Sequence, residues 1–332
     1  MAHGNGLSRM HGGPDQEGVP RHDFSTNANA CGPCPVALSA VAGADATRYP
    51  DPAYAALRER LAAFHGVSSA RVVVAASASE FIWRVTAWVR ANGGRRVRVP
   101  RHAYGDYAMA ARGLGLAVTA ESDDADLAWG CDPSSPLGDS DTALERANAA
   151  TTVLDLAYAP LRLAGPAPGS ERHRQAWQLW SPNKALGLTG IRGAYAIAPE
   201  GAEGAVRGLD ALAASWPLGA HGEAMLQAWC DPHTQAWLAG SLQTLRGWRD
   251  RQLALCESMG WTPRPGGANF HTALPVVTGR RDQDIARVLH GLRTHGVKLR
   301  DCASFGLPGH VRLGVLAPAS QDALRQAWEA RA

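Results

Sequence analysis

Ser181, Lys184 and Arg192 put a hydroxyl, a primary amine and a guanidinium into one short stretch, Ser181-Pro182-Asn183-Lys184 with the arginine eight residues on. An amine that has shed its proton attacks a carbonyl and forms a Schiff base; arginine, protonated at any accessible pH, does not. Hydroxyl and guanidinium together suit a phosphate. The lysine also stands out against its background, because of the 33 lysines and arginines Lys184 and Lys298 are the sole lysines. Codon usage leaves occasional lysines behind, and Lys298 reads as such a survivor. Scarcity therefore does not assign Lys184 a task; its neighbours must.

Asp155 closes the β-branched run Thr151-Thr152-Val153-Leu154, and Tyr158 follows three residues later. An acid in that place is either a turn former or a carboxylate set to hold a protonated nitrogen. Ala78 and Ser79 follow a short apolar run, 71–76, with Ser77-Ala78-Ser79-Glu80 in capping-box spacing ahead of Phe81, Ile82, Val85 and Val89. Such a helix start is a plain cap or a phosphate site.

The elements that must position these residues alternate. The spacing of apolar residues predicts helices over 52–64, 78–89 and 107–114, and strands at 71–76, 97–100, 151–154, up to Ser181, and 194–198. Strands separated by helices indicate a parallel sheet covered on its faces. Ligands in such sheets bind beyond the carboxyl ends of the strands, where the residues above cluster. Past Gly219 the chain reads as one helical stretch over 224–259. A strand at 272–277, a helix over 284–295 and a strand at 311–315 complete an α+β portion. The expected class is α/β: a large domain with a mainly parallel sheet, plus a small α+β domain from both chain ends. Residues 1–44 read as an arm and part of the small domain, 45–222 as the large domain and 223–332 as the rest of the small one.

Composition narrows the function classes. A 45% hydrophobic, 19% charged chain of 332 residues has the balance of a globular protein with a sizeable core. A net charge of +3 with scattered arginines gives no stripe for nucleic acid. No apolar run approaches the ~18 residues of a membrane span. The Gly/His/Asp-rich amino terminus lacks the apolar core of a signal peptide, so a cytoplasmic location is expected. Six cysteines in a chain of this length fit reduced thiols. Cys31-Gly32-Pro33-Cys34 spells the thioredoxin redox motif, but it follows the polar, turn-prone segment 25–30 where that chemistry needs a strand. No Cys/His cluster calls for a metal.

Taken in order, the segments resemble the pyridoxal-phosphate enzymes of the aspartate-aminotransferase fold, and most closely the histidinol-phosphate aminotransferase and threonine-phosphate decarboxylase branch. Asn27-Ala28-Asn29-Ala30-Cys31-Gly32 is similar to that branch's Asn-Glu-Asn-Pro-x-Gly, and Arg48-Tyr49-Pro50-Asp51-Pro52 to its Arg-Tyr-Pro-Asp-Pro. Tyr104-Gly105-Asp106-Tyr107 resembles its Tyr-x-x-Tyr, Asp155-Leu156-Ala157-Tyr158 its Asp-Glu-Ala-Tyr, and Ser181 to Arg192 its Ser-x-x-Lys-x7-Arg. Arg300-Asp301-Cys302 and Gly309-His310-Val311-Arg312-Leu313 resemble the segments with substrate-anion arginines. The resemblance implies a pyridoxal 5'-phosphate cofactor on Lys184, its ring nitrogen held by Asp155 and its face stacked by Tyr104. It implies a phosphate site at Ala78, Ser79, Ser181 and Arg192, with Tyr158 also at the cofactor. Asn29, Arg300 and Arg312 are implied for a small amino substrate, and Tyr49 for the partner's site in a homodimer.

Two departures affect reaction type more than cofactor. Ser135, in Asp132-Pro133-Ser134-Ser135-Pro136-Leu137-Gly138, stands where the family has an asparagine that donates to the cofactor's ring oxygen, and Asn183 replaces a hydroxyl residue before the lysine. The reading favoured is a transaminase acting on an amino substrate with an anionic group, most simply a phosphate. The alternatives are a threonine-phosphate decarboxylase, which His11-Gly12-Gly13 and Asp23-Phe24-Ser25 resemble, and a cofactor-binding protein that lost catalysis. Ser181-x-x-Lys184 also fits the penicillin-binding acyl enzymes, but their later Lys-Thr-Gly is missing: Lys298 is followed by Leu299-Arg300.

Overall fold

The computed structural model describes residues 12–119, 124–140, 144, 148–167, 169, 171–275 and 281–330. The chain opens with β1 (His22–Asp23), α1 (Pro35–Ala42) and α2 (Ala55–His65). Then follow β2 (Val72–Ala75), α3 (Ala78–Ala91), β3 (Arg96–Arg98), α4 (Gly105–Gly113), β4 (Ala117–Thr119), β5 (Asp124–Cys131), β6 (Asn148–Asp155), α5 (Glu171–Arg174), β7 (Trp177–Trp180) and β8 (Ala194–Ile197). Helices α6 (Glu203–Ala211), α7 (Ala220–Trp229) and α8 (Pro232–Ser258) lead to β9 (Thr262–Arg264), β10 (Phe270–Leu274), α9 (Arg281–Thr294), β11 (Val297–Lys298), β12 (Arg300–Asp301), β13 (Val311–Gly314) and α10 (Pro318–Ala330).

The central sheet has seven strands in the order β2-β8-β7-β6-β5-β3-β4. All neighbours are parallel except around β8, which runs antiparallel to both β2 and β7. Alternate residues of the β2/β8 pair face opposite cores. Val72, Val74, Tyr195 and Ile197 join α1, α2 and α7 on one side, whereas Val73, Ala75, Ala194 and Ala196 join α3, α4 and α6 on the other. As the last strand of the sheet, β2 is left with outward carbonyls that must find donors. Arginines supply them: Arg58 Nη1 donates to Val72 O, and Arg84 Nη2 to Val74 O at 2.7 Å.

The small sheet runs β12-β13-β10-β9, fully antiparallel. The arm reaches it: His22 and Asp23 pair in parallel with Val297 and Lys298, and Phe24 is wholly buried in the same cluster as Leu292, Val297 and Leu313. Helix α8 spans both regions, with Leu238 and Leu245 in the core under the large sheet and Cys256 in that of the small one.

Three departures from expectation shape the sheet and its long helices, besides α6, β9 and α10, which were not expected either. The helical stretch over 224–259 is two helices. Cys230 closes α7, the Asp231 carboxylate accepts from His233 N at 2.8 Å, and Pro232 opens α8, a cap-plus-proline start that apolar periodicity overrides. The sheet contains the antiparallel β8, since strand composition does not encode direction. The third departure is β5 with β4, which were not expected. Asp124-Ala125-Asp126-Leu127-Ala128-Trp129-Gly130-Cys131 has no β-branched residue, yet it pairs with β3 and β6 in the middle of the sheet. Of the strand expected at 272–277, residues 276 and 277 lie outside the described residues, as does His11.

Candidate active site

The parallel strands bring their carboxyl ends together. Cys131 at the end of β5 pairs with Asp155 at the end of β6, and Asp155 in turn with Leu179 near the end of β7. The segments leaving these strands wall a cavity of about 710 Å³, lined among others by Ser135, Asp155, Tyr158, Ser181, Lys184 and Arg192.

Asp155 lies at the cavity floor, 5% exposed. Its Oδ2 accepts from the Tyr107 hydroxyl at 2.6 Å and its Oδ1 from Ala157 N at 2.9 Å. Burial pushes the carboxyl above its ordinary value in spite of those donors and the nearby Lys184 charge. A carboxylate so placed gains from a cationic partner in the cavity. Tyr107 is held for this task by stacking on Trp129 at 4.4 Å and 7°. Tyr104 meets Tyr107 edge-on at 5.8 Å, and its hydroxyl lies 3.2 Å from Ser79 Oγ. Burial, then the Asp106 charge, pushes the Tyr104 phenol upward, so it stays a neutral hydroxyl.

The amino end of α3 turns toward the cavity because Ser77 Oγ accepts from Glu80 N and Glu80 Oε2 accepts from Ala76 N, both at 3.1 Å. A helix leaves its first-turn N–H groups without intrahelical partners, and those of Ala78 and Ser79 belong to residues lining the cavity. Ser181 follows β7 at once. Asn183 ties that loop shut, accepting from Ser181 Oγ at 2.9 Å and donating to Ile191 O at 3.3 Å, so the residue that departs from the family pattern braces the turn before Lys184. The Lys184 amine stands 5.3 Å from the centre of the Tyr158 ring and makes no ion pair among the described residues. Arg192 likewise has no carboxylate partner among the described residues and lines the same cavity.

The small sheet contributes two buried arginines to the same cavity, Arg300 and Arg312, 7% and 6% exposed. Arg312 donates to Ser135 Oγ at 2.9 Å and to Ser25 O at 3.1 Å, and its guanidinium lies over Phe270 and Phe305. Arg300 packs on Phe305 at 4.9 Å and donates to Ser304 Oγ at 2.8 Å. Ser135, where the resemblance places an asparagine, is thus engaged by Arg312.

Two residues singled out in the sequence lie elsewhere. Asn29 is buried outside the cavity; its Nδ2 donates to Ala185 O and Ser241 Oγ at 3.1 and 2.8 Å, and its N–H to Lys184 O at 2.9 Å. These bonds tie Asn29 to the lysine loop, while the cavity wall above the loop is formed by other residues. Tyr49 is 76% exposed and stacks on Trp216 at 4.4 Å, away from the cavity of its own chain. Conversely, Gly12, Ser25, Asn27 and Asp106 line the cavity without having been singled out for it. Asn27 presents its amide oxygen to Arg312 Nε and Nη1 at 3.2 and 3.3 Å in the orientation that satisfies both groups. Asp106, 5% exposed, has an Oδ1 with no hydrogen-bond partner among the described residues. Asn27 and Asp106 fall inside the quoted segments, which was the available signal. Cys31 and Cys34 are unbridged, and burial raises the Cys31 thiol, the reverse of what a redox thiolate needs.

Among the described residues no three His, Cys, Asp or Glu side chains gather as a metal site, and no helix is long and apolar enough to cross a membrane. What does gather is a donor set for one particular group: an amine for an aldehyde, a buried carboxylate for a ring nitrogen, an aromatic face, and helix amides with a hydroxyl and a guanidinium for a phosphate. That set fits pyridoxal 5'-phosphate, and the cavity has room for it beside a small substrate.

The fold and donor set define an enzyme that uses this cofactor on the aspartate-aminotransferase scaffold. Residues 21–133 and 140–330 match the aminotransferase class I and II family, and the chain belongs to that family. It is a pyridoxal-phosphate-dependent transaminase by family. Among its relatives, histidinol-phosphate aminotransferase 1 of Bordetella parapertussis is 28% identical over 91% of this chain and 89% of its own length. The histidinol-phosphate aminotransferase of Halorubrum lacusprofundi is 28% identical over 87% and 83%. The crystal structure of histidinol-phosphate aminotransferase from Sinorhizobium meliloti in complex with pyridoxal-5'-phosphate superposes with a TM-score of 0.76 at 20% identity, over 92% of this chain and 90% of that one. L-threonine-O-3-phosphate decarboxylase from Porphyromonas gingivalis superposes with a TM-score of 0.73 at 18% identity, over 93% and 98%.

Proposed function

We propose that this enzyme transaminates a small amino substrate bearing an anionic group, most simply a phosphate, as in histidinol phosphate. The observation that carries the reading is the pair of buried arginines facing the cavity that holds Lys184. A desolvated dianion is costly without charged, fork-shaped donors, and two guanidiniums supply them. The names of the curated relatives point to the same substrate class.

The cofactor supplies an aldehyde that condenses with amines and a ring that draws off electrons from the substrate carbon. Everything else falls to the chain. The Ala78 and Ser79 amides, Ser181 and Arg192 take the cofactor phosphate. Asp155, braced by Tyr107, keeps a proton on the ring nitrogen. Tyr104 covers one face, with its hydroxyl near Ser79. Lys184 would hold the cofactor's aldehyde and, as the free amine, would carry a proton between the substrate α-carbon and the C4' position. Arg300 and Arg312 would fix the substrate anion and thereby orient the α-carbon, on which the choice of bond to break depends.

Decarboxylation is the second reading. It is favoured by Gly12 and Ser25, which belong to the two segments that resemble the decarboxylase and which line the cavity. Turnover of histidinol phosphate and of threonine phosphate, each with and without 2-oxoglutarate, separates the two. Turnover of histidinol phosphate that requires 2-oxoglutarate supports the first; carbon dioxide release from threonine phosphate without it supports the second and overturns the first.

Arg312→Lys keeps the charge and loses the two-pronged geometry. We expect kcat/KM to fall by about 10–100-fold, roughly 1.4–2.8 kcal/mol, with cofactor affinity nearly unchanged. Loss of cofactor with turnover of the saturated enzyme intact would show that Arg312 serves the cofactor instead.

Tyr49, stacked on Trp216 and exposed, is proposed to reach the site of a partner in a homodimer. Tyr49→Phe and Lys184→Ala subunits, each inactive alone, should regain activity on mixing, because one site of each hybrid carries neither lesion. Full activity of Tyr49→Phe by itself would remove the shared site.

A further inference from the structure

Lys298, the second lysine, lies far along the chain from the cofactor loop and has no part in the chemistry above. It belongs to β11, where its carbonyl accepts from Phe24 N at 2.9 Å and so helps hold β1 in place. Its amine reaches past β1 to the start of the arm. There Nζ donates to Gly13 O at 2.6 Å and pairs with Asp15 Oδ2 at 2.5 Å, the lysine side chain being 15% exposed. Arg293 takes the other oxygen of the same carboxylate at 3.0 Å and Gly18 O at 2.9 Å. Gly13 N donates to Ser25 Oγ at 2.9 Å, which closes residues 13–25 into a loop with Lys298 at its neck.

What this neck holds is a wall of the active site. Gly12, Ser25, Thr26 and Asn27 all line the cavity. Gly12 is pressed so close to Ser25 that a Cβ on it would lie 2.1 Å from Ser25 O, and that same carbonyl accepts from Arg312. Asp23 fixes the turn between, accepting from Ser25 N at 2.9 Å and Thr26 Oγ1 at 2.6 Å. Contacts therefore run without a break from the Lys298 amine through Gly13, Gly12 and Ser25 to Arg312. A compact ammonium satisfies a carbonyl and one carboxylate oxygen in a space whose other oxygen Arg293 already occupies. A planar guanidinium needs more room, which fits a lysine here in a chain whose every other cation but Lys184 is an arginine.

We propose that Lys298 is a positioning residue for substrate: it fastens the amino-terminal arm over the cavity and thereby sets the wall against which Arg312 holds the substrate's anionic group. The kinetic part rests on the reading of Arg312 given above; the structural part does not. The two arginine and lysine contacts hold the Asp15 carboxyl well below the usual carboxylate range, so mild acid leaves the fastening in place, whereas high salt weakens a partly exposed ion cluster.

The test uses the cofactor-loaded full chain. In Lys298→Met, amide hydrogen exchange across residues 12–18 should speed up by about tenfold or more, while exchange in β6 and β7 stays as in the wild type. The KM for histidinol phosphate should rise by about tenfold with kcat and cofactor absorbance within twofold, and Lys298→Arg should fall between. Gly12→Ala, at the other end of the contacts, should reproduce the KM effect. Inorganic phosphate, titrated as a probe of the arginine site, should bind more weakly in Lys298→Met and in Gly12→Ala whether or not histidinol phosphate is turned over, which separates failure of this proposal from failure of the substrate reading. Unchanged arm exchange in Lys298→Met overturns the fastening. Fast arm exchange with unchanged phosphate affinity and KM, or a joint loss of cofactor, kcat and thermal stability, overturns the link to substrate.

Discussion

Lys184→Ala is expected to lower kcat by roughly 10⁴-fold or more, about 5.5 kcal/mol, because one amine is proposed both as the point of covalent attachment and as the base that moves the proton. The fold should be indifferent to the change. The Lys184 amine makes no hydrogen bond or ion pair among the described residues and only faces the Tyr158 ring, so thermal stability should stay within about 1 kcal/mol of wild type. Cofactor should still enter, since its phosphate is assigned to the Ala78 and Ser79 amides, Ser181 and Arg192, but its absorbance should be that of the unattached aldehyde. Borohydride reduction and peptide mapping of the wild type should place the label on Lys184. Label on Lys298 would transfer the chemistry to the residue assigned above to the arm.

Residues that meet within a short stretch of chain were legible in the sequence. Ser181, Lys184 and Arg192 share one loop, Ser77 caps the helix it precedes, and Asp155 ends a strand whose β-branched residues announce it. The wall opposite was legible only through the resemblance, which named Arg300 and Arg312 without their contacts. Arg312 meets Ser25 and Ser135 across 287 and 177 residues, and no periodicity in either segment carries that information. The same distance hid Lys298, whose partners Gly13 and Asp15 lie 285 and 283 residues earlier. Asn27 and Asn29 sit in one motif and only packing separates them: the Asn27 amide faces Arg312, whereas that of Asn29 bonds to Ala185 and Ser241. Strand β5 went unread because burial on both faces, rather than the propensity of its residues, makes it a strand.

Asp155→Asn should move activity and stability in opposite directions. Burial raises the Asp155 carboxyl above its unfolded value, so the native state binds the proton more tightly than the unfolded chain. Without cofactor, stability is then lost as pH rises from the ordinary carboxylate range through the raised value, since an ionised group must be kept in a dry site. Asparagine removes that cost at little expense in hydrogen bonds. Its oxygen takes the Ala157 N–H, and its amide donates to the Tyr107 hydroxyl, which rotates from donor to acceptor. The apo variant should therefore match or exceed the wild-type melting temperature near pH 8, with the difference closing below about pH 4. Turnover should fall all the same. A neutral amide does not keep a proton on the cofactor's ring nitrogen, the ring draws electrons less strongly, and kcat should drop by roughly 10²–10³-fold, about 2.7–4 kcal/mol. Thermal melts of the apo protein across pH, set beside kcat of the loaded enzyme, decide the matter. A variant that loses stability and activity together would reduce Asp155 to a packing role, and one that keeps its rate within tenfold would take the ring nitrogen's proton away from it.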